Sequence, residues 1–313
     1  MPLDKLDLLI IEELENDARQ PVPVLAKKLG MKRTTVRYRL NRLLSERILT
    51  IACIGDPELL GYQFLVVLGI NVSPGKTKAV ANRLEVLPAV KLVSLAIGQY
   101  NIMAWALFRD RMGLAHFVSD ELVRMPDITG CEVMLSYQWV KSYWKYFKPQ
   151  TKNGYHSEGY NPSELDLAII RAMQADPRQP IKKLAETVGC SGSVAKRRLE
   201  KLLTEGVIRF ACIVTPTPMG WEGVAVALLI ECQLDKLYAV ADELSVQDPA
   251  RLVSLIAGKW HIFFGATFED DKHMHSFMQE KLNSIPGIVK YEIIHLTDIL
   301  KYDIISIDWA EQR

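Results

Sequence analysis

Cysteine is sparse and unpatterned in this chain of 313 residues. The five cysteines, Cys53, Cys131, Cys190, Cys212 and Cys232, show no C-x-x-C spacing, which speaks against a zinc site or a disulfide framework and fits a reducing cytoplasm. A Gly-rich phosphate loop, a G-x-S-x-G elbow and an H-E-x-x-H pair are all missing, so the sequence leads us to expect no catalytic residue, no metal and no cofactor. Charge of one sign is missing too. A formal net charge of +1 argues against a wholesale polyanion binder and favours one defined basic face balanced by acidic surface elsewhere. The first residues, "MPLDKLDLLIIEELENDARQ", lack the basic-then-apolar order of a signal peptide. No apolar run is long enough to span a bilayer. "LVSLAIGQYNIMAWALF" (Leu92 to Phe108) falls short of about 20 residues and is broken by Gly98, Gln99 and Asn101, so it reads as two strands and a turn. A cytoplasmic chain without a membrane partner is expected.

What the chain does have is a copy of itself. "LDLLIIEELENDARQPVPVLAKKLG" (Leu6 to Gly30) matches "LDLAIIRAMQADPRQPIKKLAETVG" (Leu165 to Gly189) at an offset of 159, which continues through Cys53 and Cys212, Pro57 and Pro216, and Gly61 and Gly220. After one inserted residue the offset is 160, and "LVSLAIGQYNI" (Leu92 to Ile102) matches "LVSLIAGKWHI" (Leu252 to Ile262). Between the copies, Lys148 to Ser163 has the Gly, Pro, Asn and Ser content of a linker.

Each copy changes period once. Leu6, Leu9, Ile10 and Leu14 follow helical spacing, a short helix runs from Val22 to Leu29, and "MKRTTVRYRLNRLL" (Met31 to Leu44) makes a third. After Ile48 the chain turns β-branched and aromatic. The strands "QFLVVLGINV", "KLVSLAI", "NIMAWALF" and "TGCEVMLSYQWV", with helices at Lys76 to Leu87 and Met112 to Met125, give the order β-α-β-β-α-β. These strands are apolar almost throughout, so both faces of the sheet must be covered, by helices on one side and by the sheet of the other copy on the other. The sequence predicts an α+β chain with two copies of a helix-turn-helix (winged-helix-like) domain followed by a ferredoxin-like βαββαβ module. The expected spans are 1–52 and 53–147 for copy one, 148–163 for the linker, and 164–211 and 212–313 for copy two. Pairing of the α/β modules is expected to set the spacing of the two heads.

On a helical wheel Val36, Leu40, Leu43 and Leu44 share one face, while Thr34, Thr35, Arg37, Tyr38, Asn41 and Arg42 share the other. A recognition helix needs both: an apolar face to anchor it, and a polar face carrying Arg for guanine, Asn for adenine, Thr for thymine methyls and further Arg for phosphates. Gly30 stands where the turn between two steeply crossed helices wants positive φ. The pattern returns in "PIKKLAETVGCSGSVAKRRLEKLL". Phosphate contacts are expected from Arg33, Arg37, Arg39, Lys196 and Arg198. Base contacts are expected from Thr34, Thr35, Tyr38, Asn41, Arg42, Ser193, Arg197 and Lys201, with double-stranded DNA as the partner. The copies are unequal: Ser193, Val194, Arg197 and Glu200 replace Thr34, Thr35, Tyr38 and Asn41.

These residues, in this order and twice over, resemble the Lrp/AsnC (feast/famine) family of prokaryotic transcription regulators. "GQYNIMAWALFRD" and "GKWHIFFGATFED" sit where that family has its Gly-x-Tyr-Asp turn. The resemblance implies a small-molecule effector, an amino acid or other metabolite, bound near Gly98, Tyr100, Asn101, Gly258, Trp260 and His261, with Trp260 as a wall of the site. It also implies homo-oligomers, here of tandem chains. Departures are plain: most members carry one copy per chain, the family's helix-capping Ser is Ser191 in copy two but Lys32 in copy one, and the turn's aspartate is Asn101 or His261. Sirohaem decarboxylases share the architecture and stand as an enzyme alternative, although the His and Arg cluster they carry in the second-strand region is missing here. A sensing or assembly protein with weakened DNA contact is the third class. His273 and His275, two apart on a helix, point to different sides and do not make a metal pair. Trp105, Trp139, Trp144, Trp221, Trp260 and Trp309 read as core or interface residues.

Overall fold

The structure, a computed structural model, describes residues 3–46, 48–57, 59–141, 160, 162–214 and 223–302. Most of the 148–163 linker, Trp144, Trp221, Trp309, Pro216 and Gly220 lie outside the described residues. In copy one the elements are α1 (Lys5–Asn16), α2 (Val22–Lys28), α3 (Arg33–Ser45), β1 (Leu49–Gly55), β2 (Phe64–Val72), α4 (Thr77–Glu85), β3 (Val90–Ile97), β4 (Ile102–Phe108), α5 (Arg111–His116) and β5 (Ile128–Lys141). Copy two repeats them as α6 (Glu164–Ala175), α7 (Ile181–Val188), α8 (Gly192–Thr204), β6 (Ile208–Val214), β7 (Val224–Cys232), α9 (Leu237–Ser245), β8 (Ala250–Ala257), β9 (Ile262–Phe268), α10 (Asp271–Glu280) and β10 (Ile288–Tyr302).

The chain divides into two units, and each draws on both copies. Among the described residues, the first unit holds those up to 60 and from 160 to 214, and the second holds 61–141 and 223–302. The expected module starts at 53 and 212 are therefore corrected. Cys53 and Cys212 lie inside β1 and β6, which pair antiparallel with each other, so the segment after each third helix stays with the helices. That strand does not fold back as a wing hairpin; it crosses to its counterpart.

In the first unit each head is a three-helix cluster. Ile10, Ile11, Leu14, Leu25, Ala26, Val36, Leu40 and Leu43 form the first core, and Cys212 from the other copy joins it. Leu9, expected to face inward, is instead exposed, because the buried stripe of α1 runs through Asp7, Ile10, Ile11 and Leu14. The β1–β6 register is centred on Ala52 opposite Ala211, two residues in equivalent positions, so the strands meet about a local two-fold. Two arginines reinforce it. Arg19 donates to the Gln179 carbonyl at 3.0 Å, and its equivalent Arg178 donates to the Ala18 and Gln20 carbonyls at 2.9 and 3.0 Å. Burial lowers the pKa of both guanidiniums, and for Arg178 the nearby Arg19 adds to the effect. The carbonyls and the Phe210 ring, 4.6 Å from the Arg19 guanidinium, offset that desolvation. The heads thus hold one another directly, a contact the sequence did not lead us to expect.

In the second unit the two four-stranded sheets join edge to edge. The order β10-β3-β4-β2-β5-β8-β9-β7 closes on itself, because β10 pairs with both β7 and β3. Closure leaves no unpaired edge, and it goes beyond the face-to-face packing the apolar strands suggested. Val67, Met103, Met134, Leu229, Leu252 and Phe263 belong to the cluster that both copies build, while α4 and α9 pack with the cluster of their own copy. Lys141 reaches the Gln247 carbonyl at 3.4 Å, and its equivalent Lys301 reaches the Glu85 and Leu87 carbonyls at 2.7 and 3.1 Å, so each long strand caps a helix of the other copy. The helix expected over Met112 to Met125 is a short α5 that widens into a π-helical stretch, Phe117–Leu122, where Phe117 and Leu122 are both buried. Among the described residues no helix is long and apolar enough to cross a membrane.

Candidate nucleic-acid interface

The first reading head is built around a buried carboxylate. Asp4 caps α1 and Asp7 reaches back to the Asp4 amide, a reciprocal capping box. The Asp7 side chain is 0% exposed, so it needs a cation, and it has two. Arg42 donates to its Oδ2 at 2.5 Å, and Arg39 donates to both of its oxygens at 3.2 Å and to Asp4 Oδ2 at 2.5 Å. Hydrogen bonding from the Asp7 amide, with the Arg39 guanidinium second, holds the Asp4 carboxyl below its ordinary pKa.

The same contacts sort the arginines of α3. Arg42 is only 10% exposed and is turned inward onto Asp7, away from the outward face expected of it; Arg39, 23% exposed, is held against Asp4 and Asp7. Arg33, Thr34, Arg37, Tyr38 and Asn41 are exposed at the helical spacing i, i+1, i+4, i+5 and i+8, so they form one stripe, with Thr35 half-buried at its margin. Tyr38 is 69% exposed, an unusual position for a large ring. Neither Arg33 nor Arg37 forms an ion pair among the described residues. Behind the stripe, Leu25 and Ala26 of α2 pack with Val36 and Leu40, and Gly30 takes φ 63 with open space around its missing Cβ, so backbone conformation alone calls for glycine there. Lys32 offers α3 no side-chain cap.

The second head keeps the scaffold and changes the stripe. Asp166, equivalent to Asp7, is again buried; it accepts from Ser163 and Tyr160, and Arg198 lies 3.6 Å away. Ser191 caps α8, and Gly189 ends α7 in the left-handed region at φ 70. Ser193, Lys196, Arg197, Glu200 and Lys201 are exposed. Lys196 lies 3.7 Å from Glu200, and the Lys201 ammonium sits 5.6 Å from the centre of the Tyr160 ring.

The turns expected to hold an effector do structural work. Tyr100 and Trp260 are buried in the barrel cluster, which removes Trp260 as a solvent-reachable wall. The Tyr100 hydroxyl donates to Glu132 and its ring fills the space over Gly69, where a Cβ would come within 2.6 Å. Burial, with the Glu132 hydrogen bond second, raises its pKa. Asn101 Oδ1 accepts from the Val72 amide at 3.0 Å, and His261 Nδ1 lies 3.2 Å from the equivalent Cys232 amide, so both side chains pin a strand end. Gly98 and Gly258 are exposed, with φ 143 and 138.

Sequence reasoning missed the Asp7 and Asp166 anchors and the Arg19 and Arg178 clamps. Both left a trace: the capping spacings Asp4-x-x-Asp7 and Ser163-x-x-Asp166, and the triplet Arg-Gln-Pro repeated unchanged at 19–21 and 178–180.

Comparison with known proteins agrees with this geometry. The model of the AsnC-type helix-turn-helix domain matches residues 3–44 and 163–203, and that of the Lrp/AsnC ligand binding domain matches 65–144. The chain is 34% identical over 128 residues to the HTH-type transcriptional regulator LrpA of Pyrococcus horikoshii, covering 41% of this chain and 91% of the relative. It is 28% identical over 134 residues to the HTH-type transcriptional regulator Ptr1 of Methanocaldococcus jannaschii, covering 42% and 90%. Among solved structures, the siroheme decarboxylase NirDL, in co-complex with an iron-uroporphyrin III analogue, superposes with a TM-score of 0.67 at 16% identity over 94% of this chain and 92% of that one, a likeness of fold. With two matched helix-turn-helix units, a matched α/β module and relatives each covered almost entirely by less than half of this sequence, the chain belongs to the Lrp/AsnC family of regulators.

Proposed function

We propose that the chain is a transcriptional regulator that binds double-stranded DNA with two covalently linked reading heads. The observation that carries this is the α3 stripe: two arginines without ion-pair partners among the described residues, an amide, a hydroxyl and an exposed tyrosine on one face of a helix whose opposite face is buried. Asp4 and Asp7, the acids of the α1 cap, are engaged by Arg39 and Arg42. Arg33, Arg37 and Arg197 supply phosphate or guanine contacts, Asn41 and Thr34 read base edges, and Thr35, Ser193, Lys196 and Lys201 flank them. Arg39, Arg42 and Arg198 position the helices. Titration of a labelled duplex across a salt series tests this: log affinity should fall linearly with log salt, and a flat dependence rejects the mechanism.

An effector, if the α/β barrel takes one, meets the exposed backbone of Gly98 and Gly258 and the half-buried Asn101 and His261, not the buried Tyr100 and Trp260. Ligand-induced change in DNA affinity, matched by an equal change in ligand affinity on adding DNA, is the measurement that establishes coupling. Assembly of tandem chains into larger oligomers is checked by light scattering.

The full-length likeness to a siroheme decarboxylase supports a second reading, tetrapyrrole chemistry on the same architecture. Against it, His261 is the one histidine of the two turn regions, and its Nδ1 is engaged by the Cys232 backbone. Incubation with an iron tetrapyrrole followed by absorbance near the Soret band decides: a saturable band shift with release of carbon dioxide favours the enzyme.

A further inference from the structure

We propose that the two heads read unlike half-sites, so that the chain seats on its operator in one orientation only; the inference rests on the DNA-binding reading above. The local two-fold at Ala52 and Ala211, repeated by the Arg19 and Arg178 clamps, relates the two heads as halves of one reader. A two-fold frame with identical stripes would demand a palindrome. These stripes are not identical. Equivalent exposed positions carry Arg33 and Gly192, Arg37 and Lys196, Tyr38 and Arg197, and Asn41 and Glu200.

The last pair separates the chemistry most sharply. The Asn41 amide has a donor and an acceptor, the complement of adenine N6 and N7 in the major groove. The Glu200 carboxylate only accepts; it complements the cytosine N4 amine and is repelled by phosphate, so it is a base reader or an obstacle and never a backbone contact. Lys196, at 3.7 Å, offsets part of that repulsion. One turn back, Arg197 presents a guanidinium suited to guanine O6 and N7, where the first head presents the Tyr38 ring. The first head therefore specifies A·T at the base pair facing Asn41, and the second specifies G·C at the pair facing Glu200.

The test is selection from a library of randomised duplexes by the full chain at fixed salt, repeated with Asn41→Ala and Glu200→Gln. Both positions are exposed, so the variants keep the fold. The expected product is a non-palindromic motif with A·T fixed in one half and G·C in the other. Asn41→Ala should relax the A·T position alone and Glu200→Gln the G·C position alone, each by about tenfold in preference. A palindrome, a featureless second half, or relaxation of the same half by both variants overturns the proposal while leaving DNA binding intact. Failure to bind any duplex at low salt overturns the proposed function and this inference together.

Discussion

The two reading heads carry the same buried carboxylate and use it differently. In the first, Asp7 takes Arg39 and Arg42 at 3.2 and 2.5 Å; in the second, Asp166 takes Ser163 and Tyr160, with Arg198 farther off at 3.6 Å. The position of Arg42 is occupied in the second head by Lys201, which is exposed beside the Tyr160 ring. The difference teaches that a basic residue on a recognition helix cannot be assigned to DNA from its place on the wheel. Whether it reads or anchors depends on whether an acid from another helix reaches it first.

The largest expected effect tests the anchors themselves. Asp7→Ala should lower the unfolding free energy by about 3 to 5 kcal/mol, because two guanidiniums lose their buried partner. Asp166→Ala should cost about 1 to 3 kcal/mol, since what it mainly strands is hydroxyl hydrogen bonds. Urea unfolding of both variants gives the comparison, and equal losses would erase the distinction between the heads.

Next come the arginines of α3. Arg42→Ala should destabilise by about 2 kcal/mol, the worth of a charged hydrogen bond, whereas Arg37→Ala should stay within about 0.5 kcal/mol of the parent. In a salt titration of DNA binding Arg37→Ala should reduce the slope of log affinity against log salt by about one. The equivalent Lys196→Ala should reduce it less, because Glu200 already neutralises part of that charge. Identical slopes for the two variants would make the heads electrostatically equal.

A smaller effect follows from the helix caps. Asp4 caps the first helix of copy one, and the equivalent cap in copy two is Ser163, which does not titrate. The Asp4 pKa is lowered on folding, first by the Asp7 amide and then by Arg39, so its stabilisation is present above the unfolded carboxyl value near 3.9 and is lost as pH falls through the lowered folded value. Asp4→Ser should therefore flatten the acid limb of stability against pH, while Ser163→Asp should steepen it. Melting temperatures measured from pH 6 down to pH 2 would show this, and an unchanged acid limb in both variants would count against the cap as its source.

The smallest effect concerns the paired strands. Burial pushes the Cys53 and Cys212 thiols up to about 12, so a thiol reagent at pH 8 should label neither until the first unit opens. Labelling rates measured in increasing urea should rise together for the two, because β1 and β6 part as one event; labelling of one alone would mean that the heads open independently.

Much of this was legible in the sequence. Constant offsets exposed the duplication, and the change from helical to β-branched spacing located nearly every element. Val36, Leu40 and Leu43 were read inward and Thr34, Arg37, Tyr38 and Asn41 outward from the same periodicity, and the structure agrees on each. Three kinds of feature were not legible. The β1–β6 pairing joins strands far apart in the chain, and the strand pattern of "LTIACIG" carries no label for its partner. The depth of Tyr100 follows from barrel closure, which no single strand specifies. Leu9 lies off the buried stripe of α1 and Asp7 lies on it, because a buried carboxylate breaks the rule that apolar residues mark the inner stripe.

The sequence by itself determined that this chain is two versions of one regulator unit, which residues its recognition helices offer at helical spacing, and that those offers differ between the copies. Such properties are local, written within a turn or two of helix or a few residues of strand. Only the tertiary structure decided which of the offered cations remain free. Arg42 meets an acid 35 residues away, Arg19 meets a carbonyl of the other copy, and no period in the chain encodes a contact made by folding two distant segments into one place.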